Sequence, residues 1–356
     1  RSRVMWNCLP ALIDGPLASR LLTLAVGACL VWSSPAAGQV RPGLDQQIAA
    51  YQPTSALNGS LSISGSETMR PITESWAADL RQLYPGLKIS VTSEGSEAGL
   101  VKLLEGKAQI AAMSRRMNKQ EIGEFIREFG YEPTEVPVAV DALAVFVHKD
   151  NAIEGLSLAE LDAIFSNDRR RGLKYPLLTW GDLLLDGEWK VAPIHLYGRN
   201  IQSGTTTFFR EHVLNGAAAK KTMTTAPGSA SVVIELMKDR FGIGFSSIGY
   251  QTSGVRAVPL ASVQGGRYVV PSFQSAMDGS YPLRRNLYLY VNKLPKTAPP
   301  APLAEYVKFA LSQQGQQAVL AQGYYPLATA ELSRLTMMWT TPIRSAAADQ
   351  PAKLRD

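Results

Sequence analysis

Three stretches of the sequence join small polar residues to a predicted helix start, a combination that binds oxyanions. They are residues 64–71 (SGSETMRP), 93–99 (SEGSEAG) and 198–207 (GRNIQSGTTT). The unpaired N–H groups and dipole of a helix N-terminus stabilise an anion by about 0.3–1 kcal/mol, and by up to about 2 kcal/mol when partly buried. Glycine lets the anion approach the backbone, and Ser and Thr hydroxyls add donors. Each stretch alone is more typical of an ordinary helix cap, so the interpretation depends on finding three.

The third stretch also carries a permanent charge. Arg199 has a planar guanidinium whose N–H donors match the oxygens of phosphate in pairs. A surface salt bridge is the alternative role for this side chain. Taken together, the three stretches favour a binding site for a small oxyanion.

Residues that would catalyse a reaction at such a site are missing from the sequence. A serine hydrolase needs Gly-x-Ser-x-Gly and a P-loop needs Gly-Lys-Ser/Thr, and neither motif occurs. The three histidines, His148, His195 and His212, are too scattered for a metal site. The two cysteines, Cys8 and Cys29, precede the predicted folded body. We therefore expect a binding protein that is not an enzyme and that uses neither a cofactor nor a metal.

Composition indicates a folded protein, the length is enough for two domains, and the charge suits an anionic small ligand or an anionic surface. The 356 residues are 46% hydrophobic and 19% charged, with a net charge of +6. No basic block interleaved with aromatic residues occurs, so we expect no nucleic-acid partner. The densest basic run, residues 169–171, is predicted to be a solvated loop.

The N-terminal region predicts export. Arg20 precedes an apolar run over 21–32, and small residues follow at 36–38, which together are typical of a signal peptide over 1–38. The alternative is a lipid anchor on Cys29, since residues 26–29 resemble a lipobox. Residues 39–58 are predicted to be a flexible leader, and no later run reaches the roughly 20 apolar residues of a membrane span. The expected location is periplasmic or secreted.

The elements that position the three stretches alternate between strand and helix. Residues 71–84 predict a helix whose apolar face carries Ile72, Trp76, Leu80 and Leu83. Residues 229–238 predict another helix. Repeated strand-then-helix order implies a parallel sheet with right-handed crossovers. Two long apolar runs, 136–147 and 285–291, are predicted to connect the two domains.

The motifs at these positions resemble those of the periplasmic phosphate-binding proteins of phosphate ABC transporters, in the type-2 periplasmic binding protein superfamily. The resemblance covers about residues 61–327. The motifs that carry it lie at 65–71, 95–99, 111–117 and 199–209, with supporting similarity at 158–166, 179–183, 242–245 and 281–288.

The resemblance implies an α/β fold of two lobes, with an anion cleft between them and two crossover strands joining them. Lobe one would comprise 59–140 with 285–332, lobe two 141–284, and residues 333–356 a C-terminal tail. The implied phosphate ligands of lobe one are Ser66, Glu67, Thr68, Ser96 and Ser114. The implied ligands of lobe two are Arg199, Ser203, Gly204 and Thr205.

Two positions depart from the family pattern. Arg115 stands where some members have an Asp that accepts the proton of monohydrogen phosphate, and Ile201 replaces an acid that in some members orients the arginine. Glu67 is the first candidate for the missing acceptor and Asp141 the second, because a carboxylate accepts that proton but repels sulfate. The alternatives are a first-turn Glu favoured by the helix dipole and a solvent-facing strand end. If Glu67 is the acceptor, Glu67→Gln should narrow the ratio of phosphate to sulfate affinity.

By this resemblance the protein captures inorganic phosphate and delivers it, as a monomer, to the permease subunits of an ABC transporter. Within the binding class, the alternatives are sulfate, molybdate and tungstate. A secreted adhesion or matrix protein on the same fold is an alternative from a different class, and a phosphatase on this scaffold is a third.

Overall fold

A computed structural model describes residues 43–54 and 56–340. Within them, the strands are β1 (Gly59–Gly65), β2 (Leu87–Thr92), β3 (Ile110–Met113), β4 (Thr134–His148), β5 (Leu156–Ser157), β6 (His195–Arg199), β7 (Thr224–Ala226), β8 (Gly242–Ser247), β9 (Val255–Ala257), β10 (Leu260–Ala261) and β11 (Arg284–Val291). The helices are α1 (Arg70–Leu83), α2 (Ser96–Leu104), α3 (Lys119–Phe129), α4 (Leu158–Phe165), α5 (Gly204–His212), α6 (Ser229–Lys238), α7 (Phe273–Met277), α8 (Ala301–Leu311), α9 (Gln313–Ala321) and α10 (Thr329–Thr340). None of these helices has the length and hydropathy that a membrane crossing requires.

One sheet runs through both halves of the molecule, in the order β2-β1-β3-β11-β4-β8-β6-β7, and β9 pairs with β4. We call the part built on β1, β2 and β3 the first half and the part built on β6, β7 and β8 the second half. Each half has parallel strands followed by helices, so each brings several helix N-termini to one edge of its strands.

The long apolar strand β4 joins the two halves. Its first part pairs antiparallel with β11 as far as Ala142, and from Leu143 it pairs antiparallel with β8. The predicted connections at 136–147 and 285–291 are therefore confirmed as adjacent strands. The predicted parallel pairing is confirmed among the strands of each half. It is wrong for the connecting strands, since β11 runs antiparallel to β3 and β4, and β4 runs antiparallel to β8 and β9.

The predicted helices over 71–84 and 229–238 are confirmed as α1 and α6. Three of the residues predicted for the apolar face of α1, Ile72, Trp76 and Leu80, are fully enclosed in the main core. The prediction is wrong for the fourth, Leu83, which is the last residue of the helix and is 45% exposed. Pro71 lies in the first turn of α1, where its missing N–H costs no helical hydrogen bond.

The two ends of the described chain pack against the first half. Ile48 and Tyr51, within the predicted flexible leader, are buried, and the Tyr51 hydroxyl donates to Glu305 at 2.6 Å. Residues 333–340 of the predicted tail belong to α10, whose Leu335 is buried. Burial of apolar side chains stabilises both the N-terminal segment and α10 in these positions. The predicted signal peptide at 1–38, including Cys29, lies outside the described residues, and so do residues 341–356.

Candidate functional site

Arg199, at the end of β6, lies where the two halves meet and is almost fully buried. Its Nη1 donates to Glu67 Oε2 and to Ser229 Oγ, both at 2.9 Å, and its Nη2 donates to the carbonyl of Pro227 at 3.0 Å. Its Nε is buried and has no hydrogen-bond partner among the described residues. Burial lowers the pKa of Arg199, and the neighbouring carboxylate of Glu67 opposes that shift. The pKa of an arginine is normally so high that this side chain stays charged.

Glu67 reaches Arg199 from the first half. It follows β1 in a 3₁₀ turn over Glu67–Met69, just before α1. Besides the Arg199 guanidinium, its Oε2 accepts from the backbone N–H of Ser229 at 2.8 Å. Its carbonyl accepts from the Tyr250 hydroxyl at 3.1 Å. Burial, aided by Glu67, raises the pKa of Tyr250, so this phenol stays a donor.

A second buried arginine, Arg285 on β11, belongs to the same region. Its register partner on β4 is Asp141, whose Oδ2 accepts from Arg285 Nε at 2.9 Å and lies 2.8 Å from Nη2 in an ion pair. The other oxygen of Asp141 accepts from the Ser247 hydroxyl at 2.6 Å. Arg285 Nη2 also donates to Thr205 Oγ1 at 3.1 Å. Arg285 Nη1 is buried and has no hydrogen-bond partner in the described part of the chain, and the guanidinium lies over the ring of Phe208, 5.4 Å from its centroid.

A chain of hydroxyl groups connects the two arginines. Thr205 Oγ1, which accepts from Arg285, is 2.9 Å from Thr68 Oγ1. Thr68 Oγ1 is 3.4 Å from Ser229 Oγ, the hydroxyl that accepts from Arg199. The chain crosses between the halves, since Thr68 belongs to the first half and Thr205 to the second.

The remaining predicted ligands lie around this series of hydroxyl groups. The Ser96 and Ser114 hydroxyls are 3.5 Å apart, and a Cβ added to Gly204 would lie 2.2 Å from Ser96 Oγ. Ser203 Oγ caps α5 by accepting from the Thr205 N–H at 3.3 Å. Ser66 is buried at the end of β1, next to Glu67.

The structure therefore brings the predicted residues of both lobes to one junction. Asp141 reaches it through Arg285 rather than directly, and its complete burial shows that the solvent-facing alternative is wrong. Arg115 binds Glu121 in a buried ion pair at 2.6 Å.

Two residues at the junction are missing from the sequence prediction, Ser229 and Arg285. A signal for Ser229 was present, because Gly228 and Ser229 start α6 as similar residues start the other helices. Arg285 lies within the supporting motif at 281–288, but nothing in that motif indicates an ion pair with Asp141.

The electrostatics of the junction suit an anion. Two guanidinium groups and two carboxylates are formally neutral together, and the N-termini of α2, α5 and α6 add partial positive charge. The described residues contain no group of His, Cys, Asp or Glu that could hold a metal ion. Hydroxyls, helix N-termini and unused guanidinium donors are the groups that bind a tetrahedral oxyanion.

Known proteins resemble the chain over most of its length. A family model described as a PBP superfamily domain matches residues 49–314. The phosphate-binding protein PstS of Pseudomonas aeruginosa is 42% identical over 309 residues, which are 86% of this chain and 95% of that protein.

Two solved structures share the fold. A phosphate ABC transporter substrate-binding protein with bound phosphate from Clostridium perfringens has a TM-score of 0.64 at 24% identity, over 76% of this chain and all of that one. An ABC-type phosphate transport receptor from Vibrio cholerae has a TM-score of 0.60 at 20% identity, over 75% of this chain and all of that one. The predicted fold class and family resemblance are confirmed, and the chain belongs to the PBP superfamily and, within it, to the family of PstS phosphate-binding proteins.

Proposed function

We propose that the protein captures inorganic phosphate at the junction of its two halves. The observation that carries this proposal is the pair of buried guanidinium donors, Arg199 Nε and Arg285 Nη1, that no described residue uses. An unpaired buried donor on a charged group costs free energy, and a phosphate oxygen is the acceptor that fits it best. The name of the Pseudomonas aeruginosa relative supports the same ligand.

The proposed ligands are the predicted residues together with the two that the structure adds. From the first half they are Ser66, Glu67, Thr68, Ser96 and Ser114. From the second half and the connecting strands they are Arg199, Ser203, Gly204, Thr205, Ser229 and Arg285, with Asp141 holding Arg285 in place. A micromolar dissociation constant corresponds to about −8 kcal/mol. Several charge-assisted bonds of about 1.5–3 kcal/mol each supply that after association costs.

Calorimetric titration with phosphate, with sulfate in a parallel experiment, tests the proposal. We expect micromolar or tighter phosphate binding and much weaker sulfate binding by the wild-type protein. Arg199→Ala should weaken phosphate binding at least about 30-fold, since truncating one member of a buried charged pair costs about 2–5 kcal/mol. The control is Arg210→Ala, an exposed arginine at the end of α5. A folded wild-type protein that binds no phosphate would contradict the proposal.

Export and delivery complete the proposed role. The N-terminal sequence supports a signal peptide, and the two solved structures that share the fold are of phosphate ABC transport proteins. We therefore propose that the exported protein presents phosphate to ABC permease subunits. Mass spectrometry of the exported protein distinguishes cleavage near Gly38 from a lipidated Cys29. Retention of the uncleaved chain in the cytoplasm would contradict the export step.

A further inference from the structure

Glu67 contacts the second half of the molecule at three places. Its Oε2 accepts from Arg199 Nη1 at 2.9 Å and from the Ser229 N–H at 2.8 Å, and its carbonyl accepts from the Tyr250 hydroxyl at 3.1 Å. These are direct contacts between protein groups, so they join the halves without an intervening ligand.

The carboxylate of Glu67 supplies the cap that α6 lacks in its own half. The residue before α6 is Gly228, which has no side chain to accept from the first N–H groups. Glu67 accepts from the N–H of Ser229, the first residue of α6. The absence of a side chain at 228 also makes room, since a Cβ there would lie 2.9 Å from Glu67 Oε1. A carboxylate at a helix N-terminus is stabilised by the helix dipole.

Arg199 depends on the other half for its counter-ion. Among the described residues, Glu67 is the one carboxylate that forms an ion pair with it. Ile201, two residues after Arg199, is largely exposed and offers no charge. When the halves separate, Arg199 therefore loses its carboxylate and α6 loses its cap at the same moment.

The contacts with Glu67 leave the anion-binding donors of Arg199 free. Glu67 and Ser229 take both hydrogens of Nη1, and the Pro227 carbonyl takes one from Nη2. The Nε hydrogen and one Nη2 hydrogen remain. Glu67 therefore fixes the plane of the guanidinium without occupying the donors that would bind the ligand.

We propose that Glu67 is an interlobe latch that positions Arg199 for the anion and closes the two halves on each other. The positioning of Arg199 for phosphate rests on the proposed function, whereas the closing contact does not. The latch couples the closing of the halves to the orientation of Arg199, because Arg199 is correctly oriented only when the halves are together.

Distance measurements in phosphate-free protein test the latch separately from phosphate binding. Spin labels at Val101→Cys on α2 and Ile234→Cys on α6 occupy exposed positions in opposite halves. They need no cysteine removal from the body, since Cys8 and Cys29 precede it. In the wild-type background we expect a substantial population at the short, closed distance without phosphate. Glu67→Gln, which removes the charge and keeps the shape, should shift that population towards longer distances.

Two further variants make the result specific. Gly228→Ala crowds the Glu67 carboxylate without changing any charge, so it should shift the distances in the same direction. Glu97→Gln is the matched control, because Glu97 occupies the first turn of α2 and its side chain forms no ion pair within the described residues. Unchanged phosphate-free distances in Glu67→Gln would overturn the latch even if phosphate binds tightly. A shift in Glu67→Gln and Gly228→Ala alone would support it even if phosphate does not bind.

Where phosphate does bind, dissociation kinetics give a second readout. Loss of the latch should raise the phosphate dissociation rate about tenfold or more, since buried charged hydrogen bonds act mainly on dissociation. The same rate in wild type and Glu67→Gln would contradict the positioning role.

Discussion

Arg285 combines burial, an ion pair and an unused donor, and each property limits what can replace it. Two of its nitrogens hold Asp141 and the third is buried without a partner in the described residues. Removing the charge would leave Asp141 buried and unpaired, which costs about 3–5 kcal/mol of folding free energy. A neutral substitution would therefore confuse loss of binding with loss of folding.

Lysine at position 285 separates these two effects. Lysine keeps the charge beside Asp141 but cannot bind a carboxylate through two nitrogens and a phosphate through a third. We expect Arg285→Lys to weaken phosphate binding at least tenfold, by calorimetry, while the circular dichroism spectrum stays that of the wild type. Arg284→Lys, at the neighbouring position on β11, is the control. Wild-type affinity in the Arg285→Lys variant would leave Arg285 with a purely structural role.

At the scale of elements, helix α5 of the second half begins in close contact with the first half. It begins at Gly204, and the atoms that a Cβ there would meet are Ser96 Oγ at 2.2 Å and Ser114 Oγ at 2.8 Å. Both serines belong to the first half. A side chain at position 204 would crowd atoms of the first half, not atoms of its own helix. Glycine is therefore required there for the contact between the halves.

Gly204→Ala should act as a wedge between the halves. The added methyl group cannot be accommodated unless the serines move, so we expect a loss of phosphate affinity of at least tenfold by calorimetry. The second half should fold normally, since alanine favours a helix over glycine by about 1 kcal/mol. Gly123→Ala in α3 is the control, because its Cβ would meet no atom within 4 Å. Equal affinities of the two variants would show that α5 tolerates the wedge.

At the scale of the whole molecule, sequence patterns predicted the elements better than their partners. Helices α1 and α6 were predictable because apolar periodicity is a local property. The opposite direction of β4 and β11 was not, because strand pairing depends on the path of the chain between them. The ion pair of Asp141 with Arg285 joins residues 144 apart in sequence, and that of Glu67 with Arg199 joins residues 132 apart. No spacing rule connects residues at such separations.

Helix α10 shows the same limit at the end of the fold. Leu332, Leu335 and Trp339 follow helical spacing and are buried against the rest of the first half. Polar residues flank Leu332 and Leu335 in the sequence, and a predicted tail of polar composition gave no indication of this helix. The helix packs on α8, whereas the hydrogen bonds of Arg199, Glu67 and Arg285 are made with other elements.

Stability and phosphate binding should therefore separate in α10. Leu335→Ala removes a buried side chain and should lower the free energy of unfolding by about 2–5 kcal/mol in a denaturant titration. Met338→Ala, at an exposed position of the same helix, is the control and should change it by less than about 0.5 kcal/mol. Below the unfolding transition, calorimetry should give both variants a phosphate affinity within about twofold of the wild type, because distant sites act nearly independently. A matching loss of affinity in Leu335→Ala alone would instead show that α10 supports the position of the first half at the junction, and that stability and binding are coupled through α8.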